Sequence, residues 1–281
     1  MAAAQVILVT GCSSGIGRVT AELAASRGHR VFATARKTES IADLVRPGSI
    51  DVLPLDVTDA ASVGRAVAAV QERAGRLTAL VNNAGYGQYG SVEDVALPAW
   101  RAQYDVNVFG AVALIQAVLP SLRSDGGGTI VNVSSVAGKI SIPFAAPYCS
   151  SKHALEAISD ALRVEVAPFG IRVVLVEPGP ILTRFEDRAR AEVGPLMHRA
   201  GPYQGFYVEA ERSMDTDFKR GALPPSAVAK VILRAIEARK PKTRYSVTWM
   251  ARVGIPAKRL LPDRAMDRAM RGRLKLPKGR R

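Results

Sequence analysis

Tyr148 and Lys152 stand four residues apart, and Ser135 precedes the tyrosine by thirteen. On a helix, residues i and i+4 share a face. A tyrosine phenol ionises near pH 10, too high to trade protons at neutrality. A lysine ammonium held beside it favours the phenolate and lowers that pKa. The pair would then act as a general acid/base near neutral pH. A Tyr and a Lys at this spacing also occur on ordinary surface helices, so the pair means little without a partner chemistry elsewhere in the chain.

That partner chemistry begins near the N-terminus. Residues 6–10 (Val-Ile-Leu-Val-Thr) are continuous, apolar and β-branched, as in a short buried strand. They run into Gly11, Cys12, Ser13, Ser14, Gly15, Ile16 and Gly17. From Arg18 to Arg27 the spacing is helical, with Val19, Leu23 and Ala24 on one face and Gly28 as a stop. Strand, glycine turn and helix in that order is the context of a dinucleotide site. Glycines let the backbone approach a pyrophosphate, and the helix N-terminus offers unpaired N–H groups and a positive dipole end. The spacing is G-x-x-x-G-x-G rather than G-x-G-x-x-G. A tight turn without a ligand is the plainer alternative.

Positioning these groups requires the rest of the chain. Strand-like runs occur near residues 6–10, 30–35, 51–55, 78–82, 129–134 and 171–176. Helical patterns fall near 16–27, 59–74, 98–122, 148–167 and 225–238. Such alternation predicts an α/β fold, a doubly wound parallel sheet of Rossmann type with helices on both faces. We expect one catalytic domain over 1–240 and a basic C-terminal extension over 241–281. Gly11, Arg36, Asp56, Asn83, Ser135 and Pro178 each follow a strand-like run, so they gather at the strand C-terminal edge, where ligands bind in open α/β sheets.

Composition narrows the function classes. At 48% hydrophobic residues the chain can bury a sizeable core. It has no unbroken run of eighteen apolar residues and no basic n-region, so neither a transmembrane helix nor a signal peptide is expected. Cys12 in the glycine turn and Cys149 beside Tyr148 are poor disulfide candidates, which fits a reduced, cytoplasmic setting. The Asn132-Val133-Ser134 sequon then lies inside a strand and is a decoy. His29, His153 and His198 do not pair with Cys, Asp or Glu at metal-ligand spacing, so no metal and no histidine chemistry are expected.

The ordered set Thr10-Gly11-x-x-x-Gly15-Ile16-Gly17, Asn82-Asn83-Ala84-Gly85, Asn107, Ser135, Tyr148-x-x-x-Lys152 and Pro178-Gly179 resembles the full motif series of the short-chain dehydrogenase/reductase family. The likeness covers about residues 5 to 240. Residues 83–87 (Asn-Ala-Gly-Tyr-Gly) and 33–36 (Ala-Thr-Ala-Arg) resemble the branch that includes 17β-hydroxysteroid and retinol dehydrogenases. The resemblance implies a nicotinamide cofactor and four catalytic residues. Tyr148 transfers the proton, Ser135 donates to the reacting oxygen, and Lys152 lowers the Tyr148 pKa and orients the nicotinamide ribose. The Asn107 backbone carbonyl holds a water that continues the proton path. On residues alone, Asn107 is equally a buried amide with a local partner.

The same resemblance assigns the cofactor contacts. Gly11, Ser13, Ser14, Gly15, Ile16 and Gly17 form the phosphate turn. Asp56 accepts from the adenine amino group with Val57 beside the ring, although local turn hydrogen bonding would also explain the aspartate. Asn83, Ala84 and Gly85 pack on the ribose and adenine side, and adjacent amides at 82 and 83 can also tie neighbouring strands together. The turn at Pro178 and Gly179 passes the nicotinamide, Ile181 offers its N–H to the carboxamide, and Thr183 contacts it or a phosphate. Where family members that prefer NAD carry an acid after the second strand, this chain has Arg36 and Lys37. A guanidinium binds a 2′-phosphate bidentately, so NADP(H) is favoured over NAD(H).

Residues 184–223 form a long excursion expected to be a substrate lid. It carries Phe185, Leu196, Met197, Tyr203, Phe206, Tyr207, Met214 and Phe218, although aromatics are only 6% of the chain. An apolar lid suggests an apolar substrate. The activity expected is interconversion of a secondary alcohol and a ketone on a steroid, retinoid or long-chain carbonyl. Alternatives are 3-oxoacyl-thioester reduction and a non-catalytic cofactor sensor. A homo-oligomer, dimer or tetramer, is the family's default. The net charge is +14, and the last thirty residues carry eleven Lys/Arg against two Asp. That tail is a solvated solubility device, a cover for the substrate cleft, or a peripheral membrane contact through residues 251–281. No nucleic acid partner is expected.

Overall fold

The computed structural model describes residues 4–197 and 201–274. His198, Lys275, Lys278, Arg280 and Arg281 lie outside the described residues, as do the side chains of Met197, Met214, Phe218 and Arg259. Seven strands form one parallel sheet: β1 (Val6–Val9), β2 (Arg30–Ala35), β3 (Ile50–Pro54), β4 (Ala79–Asn82), β5 (Gly128–Val133), β6 (Ile171–Glu177) and β7 (Arg244–Ser246). Their spatial order is β3-β2-β1-β4-β5-β6-β7. The order reverses between β1 and β4, the point at which an open α/β sheet leaves a crevice.

β1, β2, β4, β5 and β6 are largely buried on both faces, which is why they read as apolar runs, whereas β3 at the sheet edge is only partly buried. Ile7 and Leu8 are adjacent, fully buried and on opposite faces of the sheet. Ile7 packs with Ala21 and Ala24 of α1 (Gly15–Ser26) and with Val228 and Ile232 of α8 (Pro225–Glu237). Leu8 packs with Val67 and Val70 of α2 (Ala60–Ala74) and with Leu114 and Val118 of α4 (Gly110–Ser124). Each such aliphatic side chain contributes roughly 1.5–3 kcal/mol when removed from water. β7 escapes the sequence pattern because it has three half-buried residues, too few to show a period. It nonetheless extends the sheet beyond residue 240, pairing Leu175 with Arg244.

The stretch expected as one helix near 98–122 is α3 (Leu97–Tyr104), a π-helical turn (Asp105–Phe109) and α4. Leu97–Ser124 as a whole is long and apolar enough to cross a membrane, with a mean hydropathy of 1.5 over its best window. Here it lies along the sheet, and 44% of that window is buried inside the protein. The excursion at 184–223 is likewise not a bare loop. It folds into α6 (Phe185–Met197) and α7 (Gln204–Gly221). The basic extension forms α9 (Trp249–Leu260) and α10 (Asp263–Arg273), with Pro262 as the N-cap of α10.

Candidate active site

The C-terminal edge of the sheet opens into a cavity of about 830 Å³. One end is the glycine turn between β1 and α1. Gly11 and Gly15 have φ of +71° and +58°, a region that glycine enters without strain. A Cβ on Gly17 would lie 2.5 Å from both the Gly11 carbonyl oxygen and Asn83 Nδ2, so no larger residue fits. The turn is braced from β4. Asn83 Nδ2 donates to the carbonyls of Thr10 (2.8 Å) and Gly11 (3.2 Å). Thr10 Oγ1 accepts from the N–H groups of Asn83 and Ala84, each at 2.9 Å. Asn82 does tie strands: its Nδ2 donates to Asn132 Oδ1 at 2.9 Å, and Asn132 passes the chain to Ser159 of α5 (Ala146–Glu165) at 2.8 Å.

Gly11, Ser13, Ser14, Gly15, Ile16, Arg36, Asp56, Val57, Asn83, Ala84, Gly85, Pro178, Gly179, Ile181 and Thr183 all line this one cavity with Ser135, Tyr148 and Lys152. Gly17 does not line it but seats α1 on the turn. Arg36 is exposed at the cavity margin. Asp56 Oδ1 accepts from the Thr58 N–H (3.0 Å) and Thr58 Oγ1 donates to it (2.7 Å), and these bonds hold the carboxyl below the usual aspartate range. The local-turn role of Asp56 is therefore real, and the residue still faces the cavity. The Thr183 methyl group sits 2.9 Å from where a Gly15 Cβ would stand, so the Pro178–Thr183 turn closes over the glycine turn. An open cradle, a helix N-terminus aimed at it and a cationic margin fit a dinucleotide phosphate.

Tyr148 and Lys152 share a face of α5 and are both buried. Ser135, at the end of β5, hydrogen-bonds the Tyr148 hydroxyl, and its Oγ also contacts the Pro178 carbonyl oxygen at 3.4 Å. Lys152 Nζ donates to the Val133 carbonyl at 2.9 Å and stands 6.0 Å from the Tyr148 ring centre. The electrostatics differ from the sequence expectation. Burial pushes the Tyr148 phenol up to about 12, and the Ser135 hydrogen bond only partly opposes it. Burial also takes Lys152 down to about 8, with Glu156 pulling the other way. At this separation the ammonium does not outweigh desolvation of the phenolate.

Asn107 lies in the π-helical turn. Its side chain is occupied structurally: Nδ2 donates to the Tyr86 carbonyl (2.9 Å) and to Ser151 Oγ (3.2 Å), and Oδ1 accepts from the Tyr86 N–H (3.1 Å). π-helical turns of this kind occur frequently at functional sites. A second cavity, about 10 Å³, is lined by Asn107, Val133 and Lys152. That is about the volume the centre of one water molecule needs.

The other end of the cavity joins aromatic residues of the 184–223 excursion to Tyr89, Phe144 and Met250, which the sequence did not single out. Tyr89 stacks on Tyr148 at 6.1 Å, and Phe185 of the lid approaches it at 5.3 Å. Phe144 has φ +64°, a costly conformation for a bulky side chain. It meets the lid rings of Tyr203, Phe206 and Tyr207 at 6.2, 6.4 and 5.4 Å. Met250, Gly254 and Ala257 of α9 and Met266 and Met270 of α10 complete the lining. Cys12 and Cys149 are buried free thiols, with burial raising Cys12 to about 12. Among the described residues no three His, Cys, Asp or Glu converge in a way that would hold a metal.

The family model for short chain dehydrogenases matches residues 5–194. The chain is 38% identical over 269 residues to an NADPH-dependent 3-dehydrocapnine reductase of Ornithobacterium rhinotracheale, covering 93% of this chain and 94% of the relative. It is 37% identical over 259 residues to human 17-beta-hydroxysteroid dehydrogenase type 1, covering 88% and 78%. A short-chain dehydrogenase structure from Streptomyces avermitilis superposes with a TM-score of 0.78 at 33% identity, covering 98% of this chain and 97% of that one. With the glycine turn and the Ser-Tyr-Lys constellation in one cavity, and the π-turn asparagine lining a second, smaller one with Lys152, these matches establish that the chain belongs to the short-chain dehydrogenase/reductase family, oxidoreductases acting on CH–OH and ketone groups.

Proposed function

We propose that the protein reduces a ketone on a lipophilic substrate, or oxidises the matching secondary alcohol, with NADP(H). The observation that carries this reading is the single cavity, which joins a phosphate cradle with an arginine margin to a buried Ser135–Tyr148 pair and then to an aromatic, methionine-rich chamber. The bound nicotinamide would supply the hydride. Ser135 and the Tyr148 hydroxyl hold the carbonyl oxygen. Tyr148 gives up its proton as negative charge develops there. The Lys152 ammonium would then reprotonate Tyr148, and a water held at the Asn107 carbonyl would relay a replacement proton from solvent to Lys152. The chamber walls exclude water and select an apolar body. Steroid, retinoid and long-chain carbonyls fit this description, in a cytoplasmic protein assembled as a dimer or tetramer. Phe109 and Val164 stand exposed on the helices that hold Asn107 and Tyr148, which supports a partner subunit there.

A second reading, reduction of a 3-oxoacyl thioester, draws support from Arg184, Arg188 and Arg273, which line the same cavity and suit an anionic group on the substrate. Turnover of a 3-oxoacyl thioester against a plain long-chain ketone, each with NADPH, separates the two.

Two outcomes test the cofactor and proton assignments. Arg36→Asp should weaken NADPH binding about tenfold or more, because a charge-assisted contact is worth roughly 1.5–3 kcal/mol. NADH binding should change little. Equal NADPH dissociation constants for wild type and variant would remove Arg36 from the site. In a pH profile, Tyr148 keeps its proton well above neutrality, whereas Lys152 loses its own near 8. The kcat/KM for ketone reduction should therefore be flat through neutral pH and fall as pH rises through about 8. It should stay flat in Lys152→Arg if that variant remains active, because the guanidinium keeps its charge. A flat wild-type profile past that point would contradict the role given to Lys152.

A further inference from the structure

α9 and α10 each present two unlike faces. In α9, Met250, Gly254 and Ala257 turn into the cavity. On the adjoining side, about a quarter-turn round the helix, Trp249, Val253, Pro256 and Leu260 recur at i, i+4, i+7 and i+11, one narrow stripe. That stripe is open to solvent: Trp249 is 62% exposed, Val253 59% and Leu260 84%, with Leu261 following at 42%. In α10, Met266, Met270 and Leu274 line the cavity. Arg264, Arg268 and Arg271 recur at i, i+4 and i+7 on the other side, all exposed. The Lys258–Asp263 ion pair, 2.8 Å long, joins the two helices at their corner. The cavity cover thus carries an exposed apolar ridge with a tryptophan on α9 and a row of exposed guanidinium groups on α10.

We infer that this outer face docks on an anionic phospholipid surface. An indole and aliphatic side chains suit the boundary between acyl chains and headgroups, and basic flanks suit anionic lipid. Charge complementarity selects this occupant over a second copy of the chain. A two-fold contact through the same face would bring two rows of Arg264, Arg268 and Arg271 into one interface, and gathering like charges there costs energy. Docking here would leave only one helix, about 10 Å thick, between lipid and the chamber that holds Tyr148. A lipophilic substrate could then enter without crossing bulk water. Only this purpose rests on the proposed activity; docking itself does not.

Pelleting with vesicles tests it without any turnover assay. Full-length protein is mixed with phosphatidylglycerol/phosphatidylcholine vesicles, or phosphatidylcholine vesicles, at low and high salt. It should pellet with the anionic vesicles at low salt and stay in solution with the neutral ones. High salt should release much of it. The variant R264E/R268E/R271E should partition on the order of a hundredfold less, given the contribution of each basic residue near an anionic surface. The variant W249S/V253S/L260S should partition at least about tenfold less, through lost apolar burial. Unchanged thermal midpoints would show that both variants fold. Wild type that stays in the supernatant at low salt would overturn the inference. So would a serine variant that pellets like wild type, which would mean charge alone. Lipid-free self-association abolished by the serine variant would assign the ridge to a second copy and overturn it equally. Binding to duplex DNA but not to vesicles would do the same in favour of nucleic acid.

Discussion

Tyr148→Phe should lower ketone reduction by at least about 10²-fold and by up to about 10⁴-fold, the range over which general acid/base catalysis contributes. The substitution removes one hydroxyl from a residue packed between Tyr89 and Phe185 and leaves those ring contacts in place. It deletes the proton that burial keeps on the phenol, pushed up to about 12, and it leaves Ser135 without that partner. Fold and cofactor binding should survive, because the ring, Lys152 and the glycine turn are untouched. Steady-state kinetics with a fixed carbonyl and NADPH read the loss. A variant keeping more than about a tenth of the rate, well outside that range, would mean that some other group moves the proton.

Arg244→Leu should destabilise the fold by about 3–5 kcal/mol, the usual cost of removing one partner of a buried ion pair. Arg244 sits in β7 and reaches three carboxylates on two other elements. Its Nη2 lies 3.2 Å from Glu156 and 2.6 Å from Asp160, both of α5, and its Nε lies 3.4 Å from Glu177 at the end of β6. Glu156 and Glu177 are buried, and burial already raises the Glu177 pKa. Without the guanidinium, Glu156 would keep its ion pair with Lys139, at 2.6 Å, and Glu177 its hydrogen bond from the Ser246 hydroxyl, at 2.8 Å. The catalytic helix and the last strand would lose their clamp. Urea unfolding should show a lower midpoint at an unchanged slope. A loss under about 1 kcal/mol, the worth of a surface ion pair, would show that water already screens the cluster.

The frame and the clustering of Ser135, Tyr148 and Lys152 in one cavity were legible because their signals are local and repeated. Six strands announce themselves as apolar runs, and the glycine turn between β1 and α1 is marked by spacing alone. The i, i+4 spacing of Tyr148 and Lys152 placed both groups on one face of α5, as found. Their pKa values were not legible, since desolvation depends on what packs around them and the sequence shows only that opposite charges are near. The π turn at Asn107 was hidden too, because its residues look helical and the extra backbone residue leaves no compositional mark. Residues 184–223 read as a lid from length and aromatic content, but their helices were obscured by Pro195 within α6 and by a pattern set by the cavity rather than by a packed core. Phe144 gave no signal at all, since its left-handed backbone follows from the Gly90–Phe144 contact across the loop, 2.8 Å from N–H to carbonyl. In the tail, Leu260, Met266 and Met270 look alike as apolar residues among basic ones. The structure sends the methionines inward and Leu260 outward.

In the function we propose, Ser135, Tyr148 and Lys152 serve hydride transfer between NADP(H) and an apolar carbonyl or alcohol. A panel of steroid, retinoid and long-chain ketones, and the matching alcohols, tests it most directly when each is assayed with NADPH/NADP⁺ and with NADH/NAD⁺. The account predicts turnover of at least one lipophilic pair, faster with the phosphorylated cofactor. Tight cofactor binding with no turnover of any carbonyl or alcohol would contradict it and would make the protein a cofactor sensor on a catalytic scaffold.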